Sequence, residues 1–217
     1  MKIVFDKVNK NFGIVNALKN ISFEIDQGEF VFLIGNSGAG KSTILKLILN
    51  QLKPTSGKIL LGDIDLSQGN KEDVNQTRRK IGVVFQDYQL IVDKTIEENI
   101  ALILDIVNYP KEKIQSRIDQ VIKEVNLGTR RFLFPSQLAG GELQRAALAR
   151  ALAIEPEVIL ADEPTGNLDP ENSWNLVKLL KEINQKNNTT IIMTTHNNDI
   201  IESMGKKVIK LNEGEII

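Results

Sequence analysis

The sequence predicts an α/β fold, a mostly parallel sheet covered by helices on both faces. Three observations carry that reading. Apolar strands alternate with helical stretches along most of the chain. The run Phe30-Val31-Phe32-Leu33-Ile34 is apolar without a break, as expected of a strand buried on both faces. It enters a glycine-bearing segment, Gly35-Asn36-Ser37-Gly38-Ala39-Gly40-Lys41-Ser42, that opens directly into a helix.

In order, short strands are predicted at Lys2–Val8, Ile21–Ile25 and Phe30–Ile34, with Gly13 and Gly28 as punctuation. Residues Lys41–Asn50 read as a helix, with apolar positions at Ile44, Leu45, Leu47, Ile48 and Leu49 and no breaker. Pro54 and Gly57 close that unit before a strand at Lys58–Leu61, and Ile81–Phe85 is another buried strand. From Thr95 to Asn126 the spacing of Ile114, Ile118, Val121, Ile122 and Val125 is helical, interrupted near Pro110, and indicates a small helical lobe. A further helix spans Gly140–Ile154, rich in alanine and leucine. Strands at Val158–Ala161, Thr190–Thr194 and Lys207–Leu211 then alternate with helices at Glu171–Asn187 and Asn198–Ser203.

Composition narrows the function class. The 217 residues are 41% hydrophobic and 25% charged, with a formal net charge of −1. These are values of an ordinary soluble globular chain, with no field that would recruit nucleic acid or anionic lipid over the whole surface. Cysteine is absent, which excludes disulfides and thiolate metal sites. Asp6 interrupts the first apolar stretch too early for a signal peptide, and no apolar run approaches the roughly 20 residues that span a bilayer. Any membrane role therefore comes through a partner.

The segment Gly35–Ser42 has the spacing G-x-x-x-x-G-K-S of a phosphate-binding loop. Its backbone N–H groups, from Asn36, Ser37, Gly38, Ala39 and Gly40 through Thr43, surround phosphate oxygens at the positive end of the following helix. Lys41 supplies a point charge, and the Ser42 hydroxyl can ligate Mg²⁺. Val158-Ile159-Leu160-Ala161-Asp162-Glu163 is an apolar strand ending in two carboxylates. At the carboxyl end of a parallel sheet, Asp162 would face that Mg²⁺ and Glu163 would polarise the attacking water.

With these motifs in order, the chain resembles the nucleotide-binding subunits of ATP-binding-cassette (ABC) systems over essentially its whole length. The resemblance implies a phosphate-loop NTPase of ABC type: a single domain over 1–217, with an N-terminal antiparallel β subdomain and an α-helical subdomain inserted at approximately 87–155. It also implies ATP and Mg²⁺ as ligands, and an ATP-dependent homodimer. Phe12 resembles the aromatic that stacks on adenine, or is a core or edge phenylalanine. Gln86, ending Ile81–Phe85, resembles the glutamine that touches Mg²⁺ and relays movement to the helical lobe. Leu138-Ala139-Gly140-Gly141-Glu142, followed by Gln144 and Arg145, resembles the family signature, a glycine-opened helix end that meets the γ-phosphate held by the other subunit. Asn167-Leu168-Asp169 resembles the loop at the dimer interface, with Asp169 also capping a helix that begins near Pro170. His196, the one histidine, resembles the switch histidine at the γ-phosphate.

One position departs from the pattern: family members usually carry serine where this chain has Ala139, so one hydroxyl donor is missing from the signature. Within the family, Val84-Phe85-Gln86-Asp87-Tyr88, Lys94-Thr95, Ala161–Pro170 and Ser173-Trp174 resemble the cell-division branch of FtsE type. This branch implies an integral-membrane partner of FtsX type, through which ATP turnover controls peptidoglycan hydrolases, and a place on the cytoplasmic face of the membrane. Trp174 is otherwise an apolar residue of its helix. The alternatives are the ATPase of a lipoprotein-release or macrolide- or peptide-export transporter, and a soluble ABC ATPase acting on nucleic acid or ribosomes. Against the last stand the near-neutral charge and the lack of a basic tail.

Overall fold

A computed structural model describes residues 1–217. Two sheets organise it. The first is antiparallel, in the order β2-β1-β4-β5, built from β1 (Ile3–Phe12), β2 (Val15–Ile25), β4 (Ser56–Leu61) and β5 (Ile64–Asp65). The second has the order β10-β9-β3-β8-β7-β6. Its strands β3 (Phe30–Gly35), β6 (Ile81–Phe85), β7 (Val158–Asp162), β8 (Thr190–Thr194) and β9 (Lys207–Asn212) pair in parallel. Only β10 (Glu215–Ile216) runs antiparallel, along β9.

The alternation of side chains along a strand divides β3 between two cores. Phe30 and Phe32 face one cluster and Val31 and Leu33 the other. The first cluster packs under α3 (Ile96–Ile106), α4 (Ile114–Glu124), α5 (Gly140–Ala153), α6 (Pro170–Asn187) and α7 (Asn198–Met204). The second joins α1 (Lys41–Ile48) and the antiparallel sheet to the opposite face. Burial on both faces is the physical reason that β3 reads as an unbroken apolar run and that β7 and β8 are apolar through their centres. No helix is long and apolar enough to cross a membrane.

The helices of the middle segment lie between β6 and β7 in the chain. Here α3 begins with a complete capping box: Glu98 N–H donates to the Thr95 hydroxyl, and Thr95 N–H donates to the Glu98 carboxylate. Arg117 of α4, 8% exposed, donates from Nε to Ala153 O and from Nη2 to Leu152 O, satisfying carbonyls at the end of α5. Arg131 ties Glu97 of α3 to Asp119 of α4. The Arg131 guanidinium holds the Glu97 carboxyl below the usual carboxylate range, against the opposing effect of burial.

Two strands and one α-helix were not foreseen. The two-residue strands β5 and β10 are too short for a pattern. Helix α2 (Lys71–Arg78) buries only Val74 and Thr77, so no apolar stripe marks it. Its signal lies in the cap, where the Asn70 side chain accepts from Asp73 N–H at 2.9 Å. Strand β1 also runs beyond the predicted Val8 to Phe12, because pairing with β2 and β4 continues past irregularities in register.

Candidate functional site

The parallel strands deliver their carboxyl ends to one place. Register sets Phe85 beside Asp162 and Asp162 beside Thr194, so the residues that follow β6, β7 and β8 emerge side by side. The loop after β3 joins them. Together they line a cavity of about 610 Å³ whose walls include Ala17, Gly35, Asn36, Ser37, Gly38, Ala39, Gly40, Lys41, Ser42, Thr43, Gln86, Asp162, Glu163 and His196.

The loop holds its shape by close packing. Gly40, the residue before α1, has φ 109, a region that side-chain-bearing residues rarely adopt. A Cβ there would lie 2.7 Å from Leu18 Cδ2, so β2 packs directly against the loop and brings Ala17 to the cavity wall. Across the loop, Gly214 N–H donates to Ala39 O at 3.2 Å. The Lys41 ammonium folds over the loop and donates to Gly35 O at 2.6 Å and Asn36 O at 3.2 Å. Both acceptors belong to the loop itself, so the ammonium is held against the loop at the cavity wall.

On the opposite wall, Glu163 has φ 46, left-handed for a non-glycine residue. Its carboxylate Oε2 lies 2.9 Å from His196 Nδ1. Its backbone N–H donates to the Thr194 hydroxyl at 2.7 Å, and that hydroxyl donates to Asp162 Oδ1 at 2.8 Å. Gln86 is tied to the next loop: Asn167 Nδ2 donates to Gln86 O at 2.9 Å, and Gln86 Nε2 lies 3.5 Å from Asn167 Oδ1. No three His, Asp or Glu side chains converge to hold a metal by themselves. The cavity instead collects the Ser42 hydroxyl, the Asp162 carboxylate and the Gln86 amide. This short set of hard oxygen donors fits Mg²⁺, which keeps waters and takes its other ligands from substrate phosphates.

Other predicted residues lie elsewhere. Phe12 is not a wall of the cavity; it is 46% exposed near the β1–β2 turn, with Lys10 Nζ 5.0 Å from its ring centroid. Ala139, Gly140, Gly141 and Glu142 also lie outside, at the start of α5. Ala139 N–H donates to the Glu142 carboxylate at 3.0 Å, and Arg130 Nε donates to the same carboxylate at 2.8 Å. A Cβ on Gly141 would lie 2.6 Å from Asn172 Oδ1, so the Asn172 side chain of α6 packs against the opening of α5 and would have to shift to admit a larger residue there. Asp169 caps α6 through Asn172 N–H at 2.8 Å, as its place before Pro170 predicts. Ala17 and Thr194 were missed by sequence reasoning. Alanine and a strand-end threonine carry no chemical signal until the fold sets them beside the loop and the carboxylates.

The sequence profile of the ABC transporter family matches residues 18–166. The cell division ATP-binding protein FtsE of Bacillus subtilis (strain 168) is 45% identical over 203 residues, 94% of this chain and 89% of that protein. The methionine import ATP-binding protein MetN of Vibrio vulnificus (strain YJ016) is 39% identical over 219 residues, 99% of this chain and 64% of that one. Among solved structures, the dimeric post-hydrolysis state of the ATP-binding cassette MJ0796 bound to ADP and Pi superposes with a TM-score of 0.87 at 35% identity, covering 99% of this chain and 96% of that one. A profile match over most of the chain, high identity at near-complete coverage and a shared fold converge on one conclusion: the chain belongs to the ABC transporter family, as an ATP-hydrolysing ATP-binding cassette.

Proposed function

We propose that this cassette binds MgATP in the cavity and hydrolyses it in a homodimer, each copy completing the site of the other, to drive a membrane partner in cell division. One observation carries the reading. The cavity gathers Lys41, Ser42, Asp162, Glu163 and His196, yet leaves Gly140 and Gly141 outside it on the same chain. A helix opening on two glycines offers bare N–H donors and a positive end to an anion. A second copy would bring that opening to the γ-phosphate; the dimeric post-hydrolysis state of the cassette MJ0796 supports this arrangement.

Each residue then has a physical task. The loop amides and Lys41 neutralise phosphate charge and hold the nucleotide. Ser42, Asp162 and Gln86 would hold Mg²⁺, which screens the phosphates during transfer. Glu163 accepts a hydrogen bond from the attacking water and aims its oxygen at the γ-phosphorus, while His196 holds the Glu163 carboxylate and reaches toward the phosphate. Phe12, exposed on the β1–β2 hairpin, offers a face for the adenine ring.

The partner reading rests on a second feature. An apolar groove of about 380 Å³ lies between β6 and α3, lined by Ile81, Val83, Phe85, Leu102, Ile103 and Ile106, with Asn99 and Arg150 among its polar walls. Ile91 lines it as well, and both Ile91 and Ile106 are exposed. This groove follows directly on Gln86, so a docked segment would feel movements of the nucleotide site. We assign it to an integral-membrane partner of FtsX type, with peptidoglycan hydrolases downstream and the chain at the cytoplasmic face. The 45% identity to FtsE against 39% to MetN supports that branch over an importer.

The test is Glu163→Gln. It retains ATP binding, loses most turnover and accumulates a dimer with ATP and Mg²⁺ by sedimentation; near-normal turnover removes Glu163 from its role. Co-purification with a membrane protein of FtsX type from the native host supports the partner, and co-purification with a methionine permease instead overturns it.

A further inference from the structure

Thr194 ends an apolar strand, where threonine is an ordinary β-former. Its surroundings are not ordinary. Its side chain is wholly buried, and the β7–β8 register sets it beside Asp162. Its single hydroxyl makes two bonds, donating to Asp162 Oδ1 at 2.8 Å and accepting from Glu163 N–H at 2.7 Å. A carboxylate only accepts and a backbone N–H only donates, so the direction of both bonds is set. Glu163 takes φ 46 at this point, a conformation that a non-glycine residue keeps only where its surroundings impose it. Its carboxylate then reaches His196 Nδ1 at 2.9 Å. The four residues form one chain of contacts, Asp162–Thr194–Glu163–His196, with the hydroxyl as its buried link.

We propose that Thr194 is a positioning residue for ATP hydrolysis, whose one hydroxyl sets both the carboxylate oxygen that Asp162 offers to a divalent cation and the direction in which Glu163 leaves the sheet. With Oδ1 engaged by Thr194, Oδ2 is the oxygen turned to the cation. The inference rests on the assignment of Asp162 and Glu163 made above. Valine has nearly the same shape as threonine, but it sets a methyl group against Asp162 and leaves Glu163 N–H unpaired.

The experiment compares Thr194→Val, Thr194→Ser and Glu163→Gln in the full chain. Three quantities are read: kcat and KM for MgATP, the Mg²⁺ concentration for half-maximal binding of a fluorescent ATP analogue, and amide hydrogen exchange at Glu163 by NMR. In Thr194→Val, kcat falls roughly tenfold, as for loss of one charge-assisted hydrogen bond at the reacting end, while KM moves less than about twofold. The Mg²⁺ requirement rises and the Glu163 amide exchanges faster. Thr194→Ser restores all three. If Thr194→Val proves insoluble, Thr194→Ala is read in its place. Unchanged kcat and Mg²⁺ dependence in an enzyme that Glu163→Gln inactivates overturns this inference alone. Serine behaving like valine also overturns it, since packing and not the hydroxyl would then matter. Glu163→Gln with near-normal turnover overturns the assignment beneath it.

Discussion

Helix α5 starts without a side-chain cap. Ala139 holds the extended dihedrals of an N-cap, φ −73 and ψ 159, but offers no acceptor. Elsewhere Asn70, Thr95, Asp169 and Asn197 cap α2, α3, α6 and α7. Half of a capping box is already in place: the Glu142 carboxylate accepts from Ala139 N–H and is held in position by Arg130. The Arg130 hydrogen bond, followed by that of Ala139 N–H, keeps the Glu142 carboxyl below the usual carboxylate range. Ala139→Ser supplies the other half, a side-chain oxygen for Glu142 N–H. An N-cap of this kind contributes about 1 kcal/mol. In a chain of this length that raises Tm by roughly 2–4 °C, with or without nucleotide. The same hydroxyl keeps its own proton, free to donate to the γ-phosphate held by a second copy. A charge-assisted bond of about 1.5–3 kcal/mol tightens the ATP-bound dimer roughly tenfold to a hundredfold for each site it completes. Thermal unfolding without nucleotide reads the first effect. Sedimentation of Ala139→Ser in a Glu163→Gln background with MgATP reads the second. An unchanged Tm refutes the capping argument. A raised Tm with an unchanged dimer constant refutes the assignment of the α5 opening to the partner's phosphate.

Two further outcomes follow from the helical lobe. Asn99 is 2% exposed, and its side chain accepts from Ile91 N–H at 2.8 Å and donates to the carbonyls of Ile91, Lys94 and Thr95 at 3.1, 3.0 and 3.0 Å. Asn99→Leu removes all four bonds at the rim of the apolar groove and costs about 2–4 kcal/mol in urea unfolding; a loss below about 0.5 kcal/mol shows that water replaces the amide. The Glu97 carboxyl is depressed chiefly by its hydrogen bond to Arg131. Its contribution is therefore fully present above the unfolded-state value, near about 4.3, and disappears as pH falls through the lower folded-state value. The stability gap between the wild type and Glu97→Gln should be constant near neutrality and shrink on acidification below about pH 4. A gap that widens there contradicts the sign.

Several parts of this fold were legible because their signals are local. Phe30–Ile34 is apolar at every position, because β3 is covered on both faces by the two cores. The G-x-x-x-x-G-K-S spacing is a requirement of one turn and one helix end, and needs no knowledge of the remainder of the chain. Asp169 before Pro170 marked a helix start for the same reason. Helix α2 escaped because so few of its residues are buried, and β5 and β10 because two residues carry no period. Phe12 left two readings open in the sequence, and its exposure at the hairpin shows a residue outside both cores.

Sequence alone therefore determined the chemical inventory: a phosphate loop, two carboxylates at a strand end, a strand-end glutamine, a histidine and a glycine-opened helix. Only the tertiary structure decided which of these meet. Parallel register sets Phe85, Asp162 and Thr194 side by side, although they come from three separate parts of the chain. That pairing turns an unremarkable threonine into the link between Asp162 and Glu163. The same packing leaves the opening of α5 off the cavity wall, so Gly140 and Gly141 lie outside it, half-buried, while Lys41 and Glu163 line it. Local spacing records what a turn or a strand needs for itself. Long-range pairing and close packing leave little trace in it, because almost any small or β-branched residue can occupy the places they bring together.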